Sequence, residues 1–282
     1  MDLPESATIY SMPIIDVKNL SKTFKIYKKE PGLKGTLRSF FKRKYEYSPA
    51  VKQVSLKIEE GELVGFIGPN GAGKTTTLKM LSGLLYPTRG DLSVLGYTPF
   101  DRKPEFLKQI SLVMGQKNQL WWDLPAMDTF LLKKEIYEVS DADFKDRVEE
   151  LSELLDVKKL LHIQVRKLSL GQRMKCELMA ALIHRPKILF LDEPTIGLDV
   201  VVQHRLRNFI KEYNTKHKAT ILLTSHYMRD VKHLCDRVIV INFGSIIYDG
   251  KLDDLIEKYT KKGDHDVEDV IRRFFQQTQQ QV

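Results

Sequence analysis

Glu62-Leu-Val-Gly-Phe-Ile67, running directly into Gly68-Pro-Asn-Gly-Ala-Gly73-Lys74-Thr75, decides how this sequence is read. The first run is compact, apolar and of strand length, and the second fits G-x-x-x-x-G-K-[ST] at every fixed position. Leu78, Leu81, Leu84 and Leu85 then recur at helical spacing until Pro87 stops the pattern. Strand, glycine loop and helix in that order have a chemical purpose. Gly68, Gly71 and Gly73, with Pro69, Asn70 and Ala72 between them, let backbone N–H groups turn inward around a phosphate, and the helix N-terminus adds a favourable dipole. Lys74 is placed to bridge the β- and γ-phosphates of a nucleotide and Thr75 to ligate Mg²⁺ through its hydroxyl, with Thr76 completing the nucleotide-binding positions.

A metal beside a phosphate needs a second protein element. Lys187-Ile-Leu-Phe-Leu191 reads as a buried strand ending in Asp192-Glu193, and an acid at the carboxyl end of a parallel strand faces the crevice where nucleotides bind. Asp192 is expected to hold Mg²⁺, and Glu193, one residue on, to orient and polarise the attacking water. No Asn-Lys dipeptide occurs, so the guanine-reading N-K-x-D motif is absent and the purine must be held some other way.

Outward from these motifs, Ile14–Leu20, Val54–Ile58, Asp91–Leu95, Ile110–Met114, Thr220–Thr224 and Val238–Ile241 read as further strands. Helical periodicity marks Leu168–Pro186, Val202–Lys216 and Tyr227–Leu234, and strand–helix alternation predicts a mostly parallel sheet covered on both faces. Between Gln116 and about Lys167 the pattern becomes helical and charged, as in a small inserted subdomain. With 42% hydrophobic and 29% charged residues over 282, the chain reads as an ordinary globular protein, which excludes whole-chain disorder, collagen and coiled coil. The apolar runs are too short to span a bilayer, and the N-terminal residues lack the basic start and apolar core of a signal peptide. Cys176 and Cys235 form no metal or redox motif and are expected as two buried thiols.

Leu168-Ser-Leu-Gly-Gln172, the helix after it and the run Asp192-Glu-Pro-Thr-Ile-Gly-Leu-Asp199 resemble the signature, Walker B and D-loop segments of ATP-binding cassette (ABC) proteins. Gln116 lies 42 residues after Lys74, as the family's Q-loop glutamine does, and His226 lies 34 after Asp192, as its switch histidine does. Phe24 stands where the family stacks an aromatic on adenine. The resemblance covers about residues 14–250 and leaves 251–282 as a C-terminal extension. It implies an α/β fold: a P-loop NTPase (RecA-like) parallel sheet core, an N-terminal antiparallel β part and an inserted α-helical subdomain at about 116–167. It implies ATP and Mg²⁺, with Gln116 sensing the metal, His226 holding the γ-phosphate and the attacking water, and Asp199 crossing a dimer interface. Ser169, Gly171 and Gln172 would meet ATP bound to a second cassette, so each chain supplies half of each site. Leu170 departs from the family pattern, replacing the first of two glycines.

Three kinds of cassette protein compete. The DNA-repair type places a long coiled coil between phosphate loop and signature, whereas Thr75 to Ser169 spans 94 residues here; the translation type carries two cassettes, and this chain has one phosphate loop. The remaining reading is an ATPase subunit driving an exporter through separate permease chains, at the cytoplasmic face of a membrane. Lys117-Asn-Gln-Leu-Trp-Trp-Asp-Leu-Pro125, with the signature and D-loop strings, resembles ABC-2-type export systems, with polysaccharide exporters as the alternative. Trp121 and Trp122 are candidates for contact with a permease. The segment Lys25–Ser48 holds eight basic and two acidic residues, and Leu33, Leu37, Phe40 and Phe41 share a helical face, which suits an anionic membrane surface. That segment carries +6 of the chain's net +8, so the remainder is close to neutral and no nucleic-acid partner is expected.

Overall fold

The computed structural model describes residues 12–27, 45–115, 117–225, 227–260 and 267–279. Nine strands are described: β1 (Ile15–Tyr27), β2 (Tyr45–Ile58), β3 (Leu63–Ile67), β4 (Arg89–Val94), β5 (Ile110–Met114), β6 (Ile188–Asp192), β7 (Thr220–Thr224), β8 (Arg237–Asn242) and β9 (Ser245–Lys251). The described helices are α1 (Lys74–Leu81), α2 (Pro104–Leu107), α3 (Ala126–Ile136), α4 (Asp141–Leu154), α5 (Leu170–Leu182), α6 (Val200–His217), α7 (Met228–Leu234), α8 (Leu252–Tyr259) and α9 (Val267–Gln279).

The main sheet has the order β5-β6-β7-β3-β8-β9; the first five strands are parallel and β9 closes the edge antiparallel to β8. β6 and β7 are buried along their whole length, as expected of central parallel strands covered on both faces. Alternate residues divide between two cores. Leu189, Leu191, Ile221, Leu223, Val238 and Val240 face a core shared with α5 and α6. Phe190, Leu222, Phe66 and Ile239 face the other, shared with α1 and the three-stranded antiparallel sheet β2-β1-β4. The fold is therefore the α/β cassette architecture implied by the motifs: parallel core, antiparallel β part and helical insertion.

Several elements differ from their sequence expectation. β1 and β2 run well past Leu20 and begin well before Val54, pairing to Tyr27↔Tyr45. Residues 25–27 and 45–48 therefore belong to strands, which corrects the bounds of the basic insertion; Leu33, Leu37, Phe40 and Phe41 lie outside the described residues. The helix expected from Leu168 starts at Leu170, because Ser169 caps it. β9 and α8 were not expected at all. Leu252, Leu255, Ile271 and Phe274 of the C-terminal helices join the α5 core, with the Tyr259 and Phe274 ring centroids 4.8 Å apart. Cys176 and Cys235 are both buried free thiols.

Candidate functional site

Parallel strands deliver the site. β3 ends at Ile67 and passes into the glycine loop, β6 ends at Asp192, and β7, which lies between them in the sheet, ends at Thr224. The loop bends through Gly71 (φ 77°) and Gly73 (φ 111°), conformations that cost an L side chain strain. Gly68 is forced by space instead: a Cβ there would stand 2.2 Å from the carbonyl oxygen of Ile241.

Lys74 is buried and its Nζ donates to the carbonyl oxygens of Gly68 (2.7 Å) and Pro69 (3.1 Å). An ammonium has three N–H donors, so one remains for a phosphate oxygen. Burial lowers the Lys74 pKa, and the nearby charges of Glu193 and Asp192 oppose that shift. The Thr75 hydroxyl donates to Asp192 Oδ2 at 2.8 Å, which brings the loop and the acid strand together. The other carboxylate oxygen of Asp192 accepts the Thr224 hydroxyl at 2.7 Å. Thr224 also receives the Glu193 N–H, on both its carbonyl and its hydroxyl oxygen, at 3.1 Å each. Those bonds hold Glu193 at φ 54°, an uncommon conformation for a non-glycine residue and one that recurs at functional sites.

Thr224 was not singled out from the sequence, nor was Gly115. The Gly115 N–H donates to the Asp192 carbonyl at 2.9 Å, and a Cβ at Gly115 would meet the Glu193 carbonyl oxygen at 2.1 Å. The loop leading to Gln116 is thus pressed against the catalytic candidate. Gln116 and His226 lie outside the described residues. Next to position 226, the Ser225 hydroxyl donates to the buried Asp230, which also accepts Thr195 and an Arg207 guanidinium N–H at 2.6 Å. Thr75, Asp192, Glu193 and Gly115 line a cleft of about 200 Å³.

Phe24 is 37% exposed and pairs with Ser48, two residues from Ala50, whose carbonyl is 2.6 Å from where a Cβ on Gly73 would lie. The candidate adenine platform and the phosphate loop are therefore joined through β2. Ser169 and Gln172 form a capping box at the head of α5: Ser169 Oγ accepts the Gln172 N–H at 3.2 Å, and Gln172 Oε1 accepts the Ser169 N–H at 2.9 Å. Gly171 is buried, and a Cβ there would meet the Val202 methyls at 3.0 Å. Ser169 and Gln172 line a cleft of about 530 Å³ that shares no lining residue with the Thr75–Asp192 cleft. Asp199 caps α6, accepting the Val201 and Val202 N–H groups at 3.0 Å.

The family pattern described as ABC transporter matches residues 51–196, just over half of the chain. This chain belongs to the ABC transporter family. The ABC transporter ATP-binding protein NatA of Bacillus subtilis is 38% identical over 217 residues, which cover 77% of this chain and 88% of that protein. The Nod factor export ATP-binding protein I of Cupriavidus metallidurans is 36% identical over 207 residues, covering 73% and 68%. Among solved structures, the dimeric post-hydrolysis ATP-binding cassette MJ0796 bound to ADP and Pi superposes with a TM-score of 0.70 at 25% identity, over 84% of this chain and 98% of that one. Among the described residues, no helix of this ABC protein is long and apolar enough to cross a membrane.

Proposed function

We propose that this chain is the ATP-hydrolysing subunit of a membrane exporter whose spanning part consists of separate permease chains, and that two cassettes close around ATP. The observation that carries the reading is the junction of Lys74, Thr75, Asp192 and Glu193 where β3, β7 and β6 end side by side. The separate cleft at Ser169 and Gln172 supports a composite site, since a second cassette could bring its nucleotide there. The name of the Nod factor relative supports the direction of transport, and the dimeric MJ0796 cassette supports pairing.

The glycine-loop amides and the remaining Lys74 donor bind the β- and γ-phosphates. Thr75 and Asp192 offer one hydroxyl and one carboxylate, a hard-oxygen set of the kind that holds Mg²⁺ beside substrate phosphates. Bound there, Mg²⁺ would neutralise charge on the phosphate oxygens. Glu193 orients the attacking water and takes up its proton, and His226 holds the γ-phosphate and that water; the products are ADP and phosphate. Phe24 stacks on adenine, Gln116 senses the metal, Ser169, Gly171 and Gln172 meet the partner's γ-phosphate, and Asp199 crosses between cassettes. The chain works at the cytoplasmic face of the membrane, where Trp121 and Trp122, each about half exposed, meet a permease. The basic segment around 25–48 meets the anionic surface beside it.

Replacing Glu193 by Gln should leave ATP binding intact while turnover falls by roughly 10²- to 10⁴-fold, the usual weight of a general base. Lys74→Ala should instead lose nucleotide binding. Normal phosphate release by the Glu193→Gln protein would refute the assignment of Glu193.

A further inference from the structure

Glu177 sits in the middle of α5 and is 2% exposed. A carboxylate so placed is costly unless it is well bonded. It is: Oε1 and Oε2 accept the Gln119 N–H at 2.9 and 3.1 Å, and Oε1 also takes the Leu120 N–H at 3.3 Å. Burial raises its pKa, while those two N–H groups, Lys133 and Arg173 pull the other way. The residues it grips are the two immediately before Trp121 and Trp122. One turn earlier on the same helix, Arg173 stands over the Trp122 ring, 5.5 Å from its centroid.

The segment leading into α5 fastens the rest of the loop. The Arg166 N–H donates to the Trp122 carbonyl and the Val165 N–H to the Leu124 carbonyl, both at 3.0 Å, and the Arg166 guanidinium pairs with Asp123 at 3.2 Å. Among the described residues, the parallel sheet holds the loop through Gln119 Nε2, which donates to the Leu112 carbonyl at 2.6 Å. The two exposed tryptophans are therefore mounted on the helix whose first turn carries Ser169 and Gln172.

We infer that Glu177 and Arg173 are positioning residues that make the tryptophan loop ride on α5, so that a displacement of the Ser169 end of the helix is carried to Trp121 and Trp122. The inference rests on the proposed function, in which ATP engages the Ser169 end. It adds the residues that transmit that event to the partner-facing loop.

Trp121 and Trp122 are the chain's two tryptophans, so intrinsic emission reports this loop without a label. The full chain carrying Glu193→Gln, to accumulate the ATP-bound state, is titrated with Mg-ATP while acrylamide quenching of tryptophan is followed. A fluorescent ATP analogue gives nucleotide affinity independently. The parent is expected to change its quenching constant on ATP binding. Adding Glu177→Met, or separately Arg173→Met at a half-buried position, should at least halve that change while nucleotide affinity stays within about twofold. Arg173→Lys, which keeps a cation over the ring, should restore most of it.

An unchanged ATP response in Arg173→Met and in any folded Glu177→Met protein would overturn the inference. A parent that binds the analogue but shows no tryptophan response would also overturn it. A parent that binds no nucleotide would instead refute the ATPase reading beneath it.

Discussion

Acidification should weaken this fold through one imidazole. His184 lies just past the end of α5, stacked on Tyr137 with ring centroids 3.8 Å apart and planes 7° from parallel. Its Nε2 is 3.0 Å from the Ile110 carbonyl at the start of β5, so that nitrogen carries the proton of the neutral ring. Nδ1 is buried with no hydrogen-bond partner. A second proton would therefore create a buried N–H with no acceptor, close to Lys133 and Arg147. Burial, with those two cations adding to it and the Ile110 bond opposing, pushes the His184 pKa from 6.5 down to about 4. A depressed histidine contributes stability that is complete above the unfolded value of 6.5 and is lost as pH falls toward about 4, because the unfolded chain binds the proton first. At about 1.4 kcal/mol per pKa unit, the loss between pH 7.5 and pH 5 is about 2 kcal/mol. Denaturant unfolding followed by circular dichroism across that range measures it. The control is His184→Gln, whose amide N–H can still reach Ile110 but does not titrate. The natural chain should lose about 2 kcal/mol more than the variant over the same pH interval. Parallel stability curves for the two proteins would refute the reasoning.

Three further outcomes are expected. Gly115→Ala puts a methyl group 2.1 Å from the Glu193 carbonyl, so steady-state ATPase assays should show kcat falling at least roughly tenfold, because a misplaced catalytic group costs rate steeply, while nucleotide-analogue binding persists. Thr224→Val removes the hydroxyl donor to Asp192 Oδ1, and loss of a hydrogen bond to a charged group should lower unfolding stability by about 2 kcal/mol in denaturant titration. Burial pushes the Cys176 thiol up to about 12 and the Cys235 thiol higher still, so neither should react with a thiolate-selective reagent at pH 8 until denaturant is added.

What the sequence made legible was chemistry packed into short windows. The glycine loop, Lys74 and Thr75 are contiguous, and Asp192-Glu193 follows an apolar strand, so the local pattern picked out both halves of the candidate site. Thr224 and Gly115 act through strand neighbours set by the order β5-β6-β7, which brings together residues far apart in the chain. No local pattern distinguishes Thr224 from any other residue at the end of an apolar run. Glu177 was hidden for a different reason. One acid in a helix that is buried on nearly every side breaks the apolar pattern without revealing what it binds, and its partners are backbone N–H groups, which leave no mark on a sequence. The outer halves of β1 and β2 escaped notice because they are short continuations beyond the buried part of each strand, and their apolar residues Phe24, Ile26, Tyr45 and Tyr47 are exposed among charged neighbours. Gln116 and His226, outside the described residues, rest on the family resemblance.

The pairing of Tyr27 with Tyr45 has a consequence for how the protein can be altered. The chain leaves β1 and enters β2 through facing positions of one antiparallel pair, with 17 residues between them in the sequence. Loop-closure entropy depends only weakly on length, so replacing those 17 residues by a four-residue turn would change the closure contribution by only about 1 kcal/mol. The same exchange would remove seven basic residues and one acid, taking the formal charge from +8 to +2. Most of the formal charge can thus be exchanged between two facing strand positions while the glycine loop and Asp192-Glu193 keep their sequence.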